Sequence, residues 1–331
     1  MRWEDAHKIA MLKAARAHRD FDVDTTRRID IFGVIEGTEL ILGFVPMPRL
    51  SGAYYAGAGI LINANHPLAR QRYTAAHEFG HHVFEHETSV DPLVDPLSRW
   101  GKTTLWSAHE KQAEAFAAWF LMPRQLVANS LEQLAISRPQ TPEDVYALAL
   151  RLGTSYEATA RHLPNLRLAS RDQRDLWLKA QLAEVKVGLA VGAPPESLRN
   201  DVWRLDERDN AALISVRVGD RLVVDLEDIP SSGYLWRAAN GGDDIRVVVD
   251  TFRDGTSRVE ESSEDEASPV GTGVRHVFVL EIDAETDPGE EEVVFERVRP
   301  WTGDVAERFQ LELDVERPRR GISEELMRIA A

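Results

Sequence analysis

Two histidines four residues apart, the first followed directly by a glutamate, are the residues in this chain best placed to do chemistry: His77-Glu78-Phe79-Gly80-His81. In a helix the two histidines fall on one face, one turn apart, so both imidazoles can hold one metal ion with Glu78 beside them. Zinc suits such a donor set. It lowers the pKa of water, and a neighbouring carboxylate can take the proton. The chemistry expected is metal-assisted hydrolysis. Solvated histidines on a surface helix also produce this spacing, but the flanks argue otherwise. Tyr73-Thr74-Ala75-Ala76 and Val83-Phe84 give the helix an apolar side that would seat the two ligands at a core edge. Gly80 is read as keeping the surface next to the metal open.

A zinc ion with two histidines needs a third protein ligand and keeps a fourth position for water. A second helix, Glu110 to Pro123, offers Glu110 and Glu114 one turn apart on one face. One can ligate the metal. The other can hold the free ring N–H of a histidine and fix its tautomer. Phe116, Trp119 and Phe120 would anchor the opposite side of that helix in the core.

The elements that must position these groups follow from periodicity. Residues 4–18 carry apolar residues at helical spacing. Short β-like runs follow at Ile29-Asp30-Ile31-Phe32, Leu40-Ile41-Leu42-Gly43-Phe44 and Ile60-Leu61-Ile62, separated by glycines. With the two candidate metal helices they make a small sheet packed by helices, an α+β core. Residues 87–106, rich in proline, read as a loop over the site. Thr141 is a good N-cap, Pro142 suits the first helical position and Asp144 the first turn, so a helix opens there. The break at Gly153-Thr154-Ser155 gives residues 142–163 a helix-turn-helix look. Its second helix offers only Arg161 and His162 as groove contacts.

The run Arg72-Tyr73-Thr74-Ala75-Ala76-His77-Glu78-Phe79-Gly80-His81, followed by Glu110-x-x-Ala113-Glu114-x-Phe116-Ala117-Ala118-x-Phe120-Leu121-Met122-Pro123, resembles the ImmA/IrrE family of metallopeptidases over roughly residues 5–165. Gly59-Ile60-Leu61-Ile62-Asn63 resembles the strand that precedes the family's active helix. The resemblance implies a zincin-like fold and one zinc ion per chain. It also implies His77, His81 and Glu110 as the ligands and Glu78 as the general base. Glu114 stands where the family has Asn or Asp. Its longer side chain could reach His77 or compete for the metal, so Glu110 ranks first and Glu114 second. The resemblance further implies a narrow cytoplasmic endopeptidase that cuts a helix-turn-helix repressor and so relieves transcriptional repression, as in a stress response. Tyr54, Tyr55, Tyr73 and His82 are the candidates for stabilising the oxyanion.

Beyond a charged helical stretch, Asp172 to Leu189, and Gly192-Ala193-Pro194-Pro195, the pattern changes to alternation. Runs at 213–218, 222–226, 247–249, 277–282, 293–298 and 309–315 predict an all-β sandwich. Three of its loops, Pro230-Ser231-Ser232-Gly233-Tyr234-Leu235-Trp236, Gly271-Thr272-Gly273-Val274 and Arg299-Pro300-Trp301, resemble in order and spacing those of the chagasin-like cysteine-peptidase inhibitors, an immunoglobulin-like family, over about 208–317. The first loop has Ser-Ser for Thr-Thr and lacks the family's Asn. Val274 replaces a glycine, which would hinder close backbone approach. Trp236 is assigned to the core. Ser231, Ser232, Gly233, Tyr234, Gly271, Gly273, Arg299, Pro300 and Trp301 are candidate protein-binding positions, Trp301 as an exposed anchor.

The organisation expected is therefore two-domain: a metallopeptidase with a helical extension over 1–165, a helical connector and linker over 166–202, a sandwich over 203–318 and a tail over 319–331. At 331 residues with 43% hydrophobic content, two cores are affordable in size. No cysteine rules out disulfide and thiol chemistry. No run is long and apolar enough to span a membrane, no signal peptide is evident, and a cytoplasmic protein is expected. A net charge of −16 argues against direct DNA binding. The acidic runs 260–266 and 290–292 read as solvated loops. The function expected is a narrow zinc endopeptidase whose sandwich binds protein or regulates the enzyme, through a peptidase partner or an intramolecular contact. The alternative is a peptidase-inhibitor or protein-binding module in which the sandwich is the main activity.

Overall fold

The computed structural model describes residues 1–92, 106–240, 245–254, 274–283 and 289–322. Contacts divide the chain into two compact units, one of Met1–Lys179 with Pro318–Ala331, the other of Ala180–Arg317.

The first unit opens with α1 (Trp3–Asp20), whose Ala6, Ala10, Ala14 and Ala17 stripe is buried. Its sheet comprises β1 (Ile41–Val45), β2 (Leu50–Tyr55), β3 (Gly59–Asn63) and β4 (Ser89–Pro92). A two-residue strand from the far end of the chain, β13 (Gly321–Ile322), completes it, in the order β13-β1-β3-β2-β4. The helices that carry His77 with His81, and Glu110 with Glu114, are α3 (Leu68–Val83) and α4 (Ala108–Leu121). Helices α5 (Arg124–Gln133), α6 (Pro142–Leu152), α7 (Tyr156–Leu166) and α8 (Arg171–Trp177) follow. Phe79, Phe116 and Phe120 are fully buried and pack as an aromatic cluster between α3 and α4, with ring centroids 5.3–6.2 Å apart.

Several expectations change here. Ile31 and Phe32 open a short helix, α2 (Ile31–Glu36), not a strand, because Asp30 caps it by accepting from the Gly33 N–H. Gly80 does not open the surface beside the metal. A Cβ there would lie 3.1 Å from both Ala113 Cα and Phe116 Cδ1, so its smallness lets α4 close onto α3. Part of the expected proline-rich loop is strand β4, paired with β2; residues 93–105 lie outside the described residues. The motif arginine, Arg72, is buried and donates to the carbonyls of Ile29 (2.6 Å) and Gly153 (3.1 Å), which ties the active helix to its surroundings.

The supposed connector is no single helix. Trp177 of α8 is buried in the first core, while α9 (Leu182–Leu189) and the residues after it pack on the sandwich, where Ala190 meets Val202, Val223, Val277 and Val279. The expected tail is likewise part of the first unit. Residues Gly321 and Ile322 pair with Phe44 and Gly43, and Gln71 of α3 exchanges hydrogen bonds with the Arg319 backbone.

Among the described residues, the second unit has two four-stranded sheets. Strands β5 (Val202–Leu205), β7 (Arg221–Asp228), β10 (Val274–Ile282) and β9 (Ile245–Asp254) run in the order β5-β7-β10-β9. Strands β6 (Ala212–Val216), β12 (Val305–Val315), β11 (Gly289–Val298) and β8 (Leu235–Asn240) run in the order β6-β12-β11-β8. Alternate residues face inward, and Phe278 of one sheet meets Phe295 of the other at 4.7 Å between centroids. This is the sandwich that alternation predicts. Two details differ. The run 290–292 is solvated but lies in β11, and Leu235-Trp236 begin β8 instead of ending a loop. The acidic run 260–266 lies outside the described residues.

Candidate metal centre and loop cluster

Helix α3 delivers His77 and His81 side by side, with His81 Nε2 3.3 Å from His77 Nε2. Helix α4 brings Glu110 against both: its carboxylate lies 3.2 Å from His77 Nε2 and 3.5 Å from His81 Nε2. These three residues form a group whose ligand atoms all lie within 4.8 Å of one another. Glu110 sits in the first turn of α4, three residues after the N-cap Ser107, whose hydroxyl accepts from the Glu110 N–H. Such a glutamate often reaches back to its own cap. Here the carboxylate turns to the histidines and accepts from the hydroxyl of Ser89 on β4 at 3.0 Å.

Glu114, one turn on, does not join this group. It sits behind His77, 3.2 Å from Nδ1, and accepts from the Tyr73 hydroxyl at 3.0 Å. An ionised carboxylate only accepts hydrogen bonds, so His77 carries its proton on Nδ1 and turns the Nε2 lone pair toward Glu110 and His81. Electron-rich atoms thus converge on one point. Ligands about 2.0–2.1 Å from a tetrahedral zinc ion lie about 3.3 Å apart, which agrees with the spacings found. The donor set therefore fits a zinc ion.

Burial shapes the charges. Desolvation, then the neighbouring His77 ring, pushes His81 down to about 3. Burial works to raise Glu110, but the neighbouring His77 ring, then His81 and the Ser89 hydroxyl that donates to it, outweigh burial and hold the carboxyl at about 2. Neutral imidazoles and an ionised carboxylate are the forms that bind a metal. His77, Glu78 and His81 are buried at 0–1% exposure, whereas the Glu110 side chain is 30% exposed, so the group meets solvent on Glu110's side. Glu78 is seated against β2 at Gly52. A Cβ at Gly52 would stand 2.7 Å from Glu78 Oε1 and 2.5 Å from Thr74 Cγ2, closer than real contacts permit.

Of the four oxyanion candidates, Tyr73 is engaged with Glu114, and the Tyr54 hydroxyl lies 3.5 Å from His82 Nδ1. Tyr55 is exposed. Among the groove-contact candidates, His162 is buried edge-on against Trp119 (4.6 Å), and Arg161 donates to Glu157. Residues 142–163 do form two helices, with the Thr141 cap and a left-handed Gly153 between them. Three residues around the metal group, Ser89, His86 and Gln112, escaped the sequence reading. The nearest signal was a further histidine, His86, five positions past the motif.

In the second unit the first and third loops come together. Gly233, at φ +76°, lies against the Trp301 ring, where a Cβ would come within 2.7 Å of Cη2. The Arg299 guanidinium lies 4.6 Å over the Tyr234 ring and 6.0 Å over that of Trp301. Trp301 is 71% exposed, while Trp236 is buried and donates to the Glu227 carbonyl. Ser231, Ser232 and Pro300 are exposed beside them. Gly271 and Gly273 lie outside the described residues.

Comparison with known families agrees with both halves. Residues 47–163 match the model of a peptidase family, M78, described as the IrrE N-terminal-like domain. Residues 215–313 match the chagasin family of peptidase inhibitors, I42. The chain therefore carries an IrrE N-terminal-like peptidase-family domain followed by a chagasin-family domain. No curated protein matches it. Similar solved structures include the cysteine protease inhibitor EhICP2 from Entamoeba histolytica (18% identity, 35% of this chain and 96% of that one, TM-score 0.28). Others are Amebosin (19%, 34% and 96%, TM-score 0.24) and PbICP-C in complex with falcipain-2 (18%, 35% and 92%, TM-score 0.22). Among the described residues, no helix is long and apolar enough to cross a membrane.

Proposed function

We propose that the first unit is a zinc endopeptidase in which His77, His81 and Glu110 hold the metal and Glu78 is the general base. The observation that carries this is the convergence of two imidazole Nε2 atoms and one carboxylate within 4.8 Å, beside a fully buried glutamate. Zinc in this position would supply a Lewis acid for the scissile carbonyl and a lowered pKa for the attacking water. The protein's own residues do the rest. Glu78, held by the Gly52 strand, takes the proton of the attacking water and passes it to the leaving amine. Glu114, itself held by Tyr73, keeps His77 in the ligating tautomer. The half-exposed Glu110 side is where a polypeptide would enter.

The substrate we propose, a helix-turn-helix repressor cut in the cytoplasm, rests on the family resemblance alone. The test is a comparison of new protein N-termini in cells expressing wild type or Glu78→Gln. Cleavage in pure wild type should fall by about 10²–10⁴-fold in the variant with zinc content unchanged. Cleavage that survives the substitution would end the proposal.

A second reading concerns the chagasin-family unit as a peptidase-binding module. The exposed Trp301, backed by Arg299, Tyr234 and Gly233, favours it, since aromatic residues at loop tips suit protein interfaces. Full-length protein should inhibit a papain-like peptidase at near-stoichiometric levels, and Trp301→Ala should weaken that inhibition. Absence of inhibition at large molar excess removes this reading.

A further inference from the structure

The active helix ends in a turn that returns the chain beneath its own second ligand. Glu85 takes the left-handed conformation at φ +57°. The His86 N–H then bonds the His81 carbonyl (2.9 Å) and the Glu85 N–H bonds that of His82 (2.9 Å), a Schellman closure. Its outcome is that the His86 ring, 8% exposed, faces the His81 ring from behind, Nδ1 to Nδ1 at 3.0 Å. The other nitrogen of His86, Nε2, lies 3.1 Å from Gln112 Oε1 on α4. His109 stacks on His86 at 4.2 Å and Phe84 at 5.4 Å, fixing its plane.

Proton placement follows from these contacts. A histidine that offers Nε2 to a metal carries its proton on Nδ1. His81 Nδ1 then donates, so His86 Nδ1 must accept. A neutral His86 with a lone pair on Nδ1 has its proton on Nε2, and that atom faces an amide oxygen, which accepts. Every position in the series is satisfied only one way: Gln112 Oε1 sets His86, and His86 sets His81.

We propose that His86 is a positioning residue that, held by Gln112, fixes His81 in its metal-ligating tautomer. It does for the second histidine what Glu114 does for the first, but with a neutral group. The assignment rests on the zinc reading of His77, His81 and Glu110.

Two measurements on the full chain test it. In metal-free protein with ¹⁵N-labelled histidine, long-range ¹H–¹⁵N spectra should show His81 protonated on Nδ1 in wild type and shifted toward Nε2 in His86→Phe. In zinc competition against a chromophoric chelator, His86→Phe should bind about 10–100-fold more weakly, the usual cost of losing a ligand's hydrogen-bond partner. His86→Asn, which keeps an acceptor oxygen near the Nδ1 position, should recover most of that affinity, and Gln112→Leu should fall between. A merely structural role for His86 would not be rescued by asparagine. Unchanged zinc affinity and an unchanged His81 tautomer in His86→Phe would overturn the proposal. A wild-type chain that holds no zinc would instead overturn the zinc reading, and the tautomer spectra would still decide what His86 does to His81.

Discussion

His77, Glu78 and His81 are almost wholly enclosed, each on a helix whose packing leaves it little freedom, whereas Trp301 holds 71% of its surface in water at the tip of a loop. The first arrangement places polar groups where desolvation is costly and answers the cost with partners: Glu114 and Tyr73 for one histidine, His86 and Gln112 for the other. The second leaves an apolar ring uncovered and stiffens only its base, with a left-handed glycine and a stacked guanidinium. Enclosure and exact orientation suit bond cleavage; an open aromatic on a firm base suits binding another protein.

The sharpest way to break this contrast is to remove the third metal-facing group. Glu110→Ala should leave the protein folded but without zinc after dialysis, and without peptidase activity, by metal analysis and assay. Retained zinc would place another ligand in the site. Gly52→Ala is the next largest. The new methyl group must displace Glu78 or Thr74, so activity should drop on the order of 10²-fold while zinc binding stays, because only the base moves.

A smaller effect is read in pH. Burial, then the charge of His7, holds His162 at about 3 against an ordinary value of 6.5. Between those values the unfolded chain carries a proton there that the folded chain does not. Stability therefore falls as pH drops from about 6.5 toward 3, by about 1.4 kcal/mol per pH unit for one such group. His162→Phe, which can still pack on Trp119, should remove that share of the slope in urea titrations at several pH values. An unchanged slope would mean that His162 is protonated in the folded chain. Smallest of all, Trp301→Ala should change unfolding free energy by no more than about 0.5 kcal/mol, since the ring is mostly in water. A drop of 2 kcal/mol or more would make it a core residue and undo the comparison.

The two regions were not equally legible. The i, i+4 rule made the facing of His77 with His81, and of Glu110 with Glu114, visible in the chain, because a helix turns local spacing into proximity. The six strands read from alternation were visible for the same reason. What spacing cannot show is which of two equivalent carboxylates meets the ring nitrogens. That depended on how α4 docks, with Gly80 setting the approach. Ser89 arrives by strand pairing and carried no signal; His86 showed only as a further histidine five positions past the motif, because it is brought round by a turn in which a glutamate takes a conformation usually left to glycine. The short strands β5 and β8 were missed because Val202-Trp203-Arg204-Leu205 and Leu235-Trp236-Arg237-Ala238-Ala239-Asn240 do not alternate apolar with polar residues. Ile31 and Phe32 were misread because β-branched and aromatic residues suggest strand, whereas the Asp30 cap decided for helix.

Strand β13 has a consequence for how the molecule is made. It closes the far edge of the peptidase-family sheet, yet it is translated after the entire sandwich. On the ribosome the first unit must wait, one sheet edge open, until the second has been synthesised. Cutting the chain after the first unit would therefore remove part of that unit too. To delete the sandwich cleanly, one would excise it internally and join Lys179 to Pro318, leaving the closing strand to find β1.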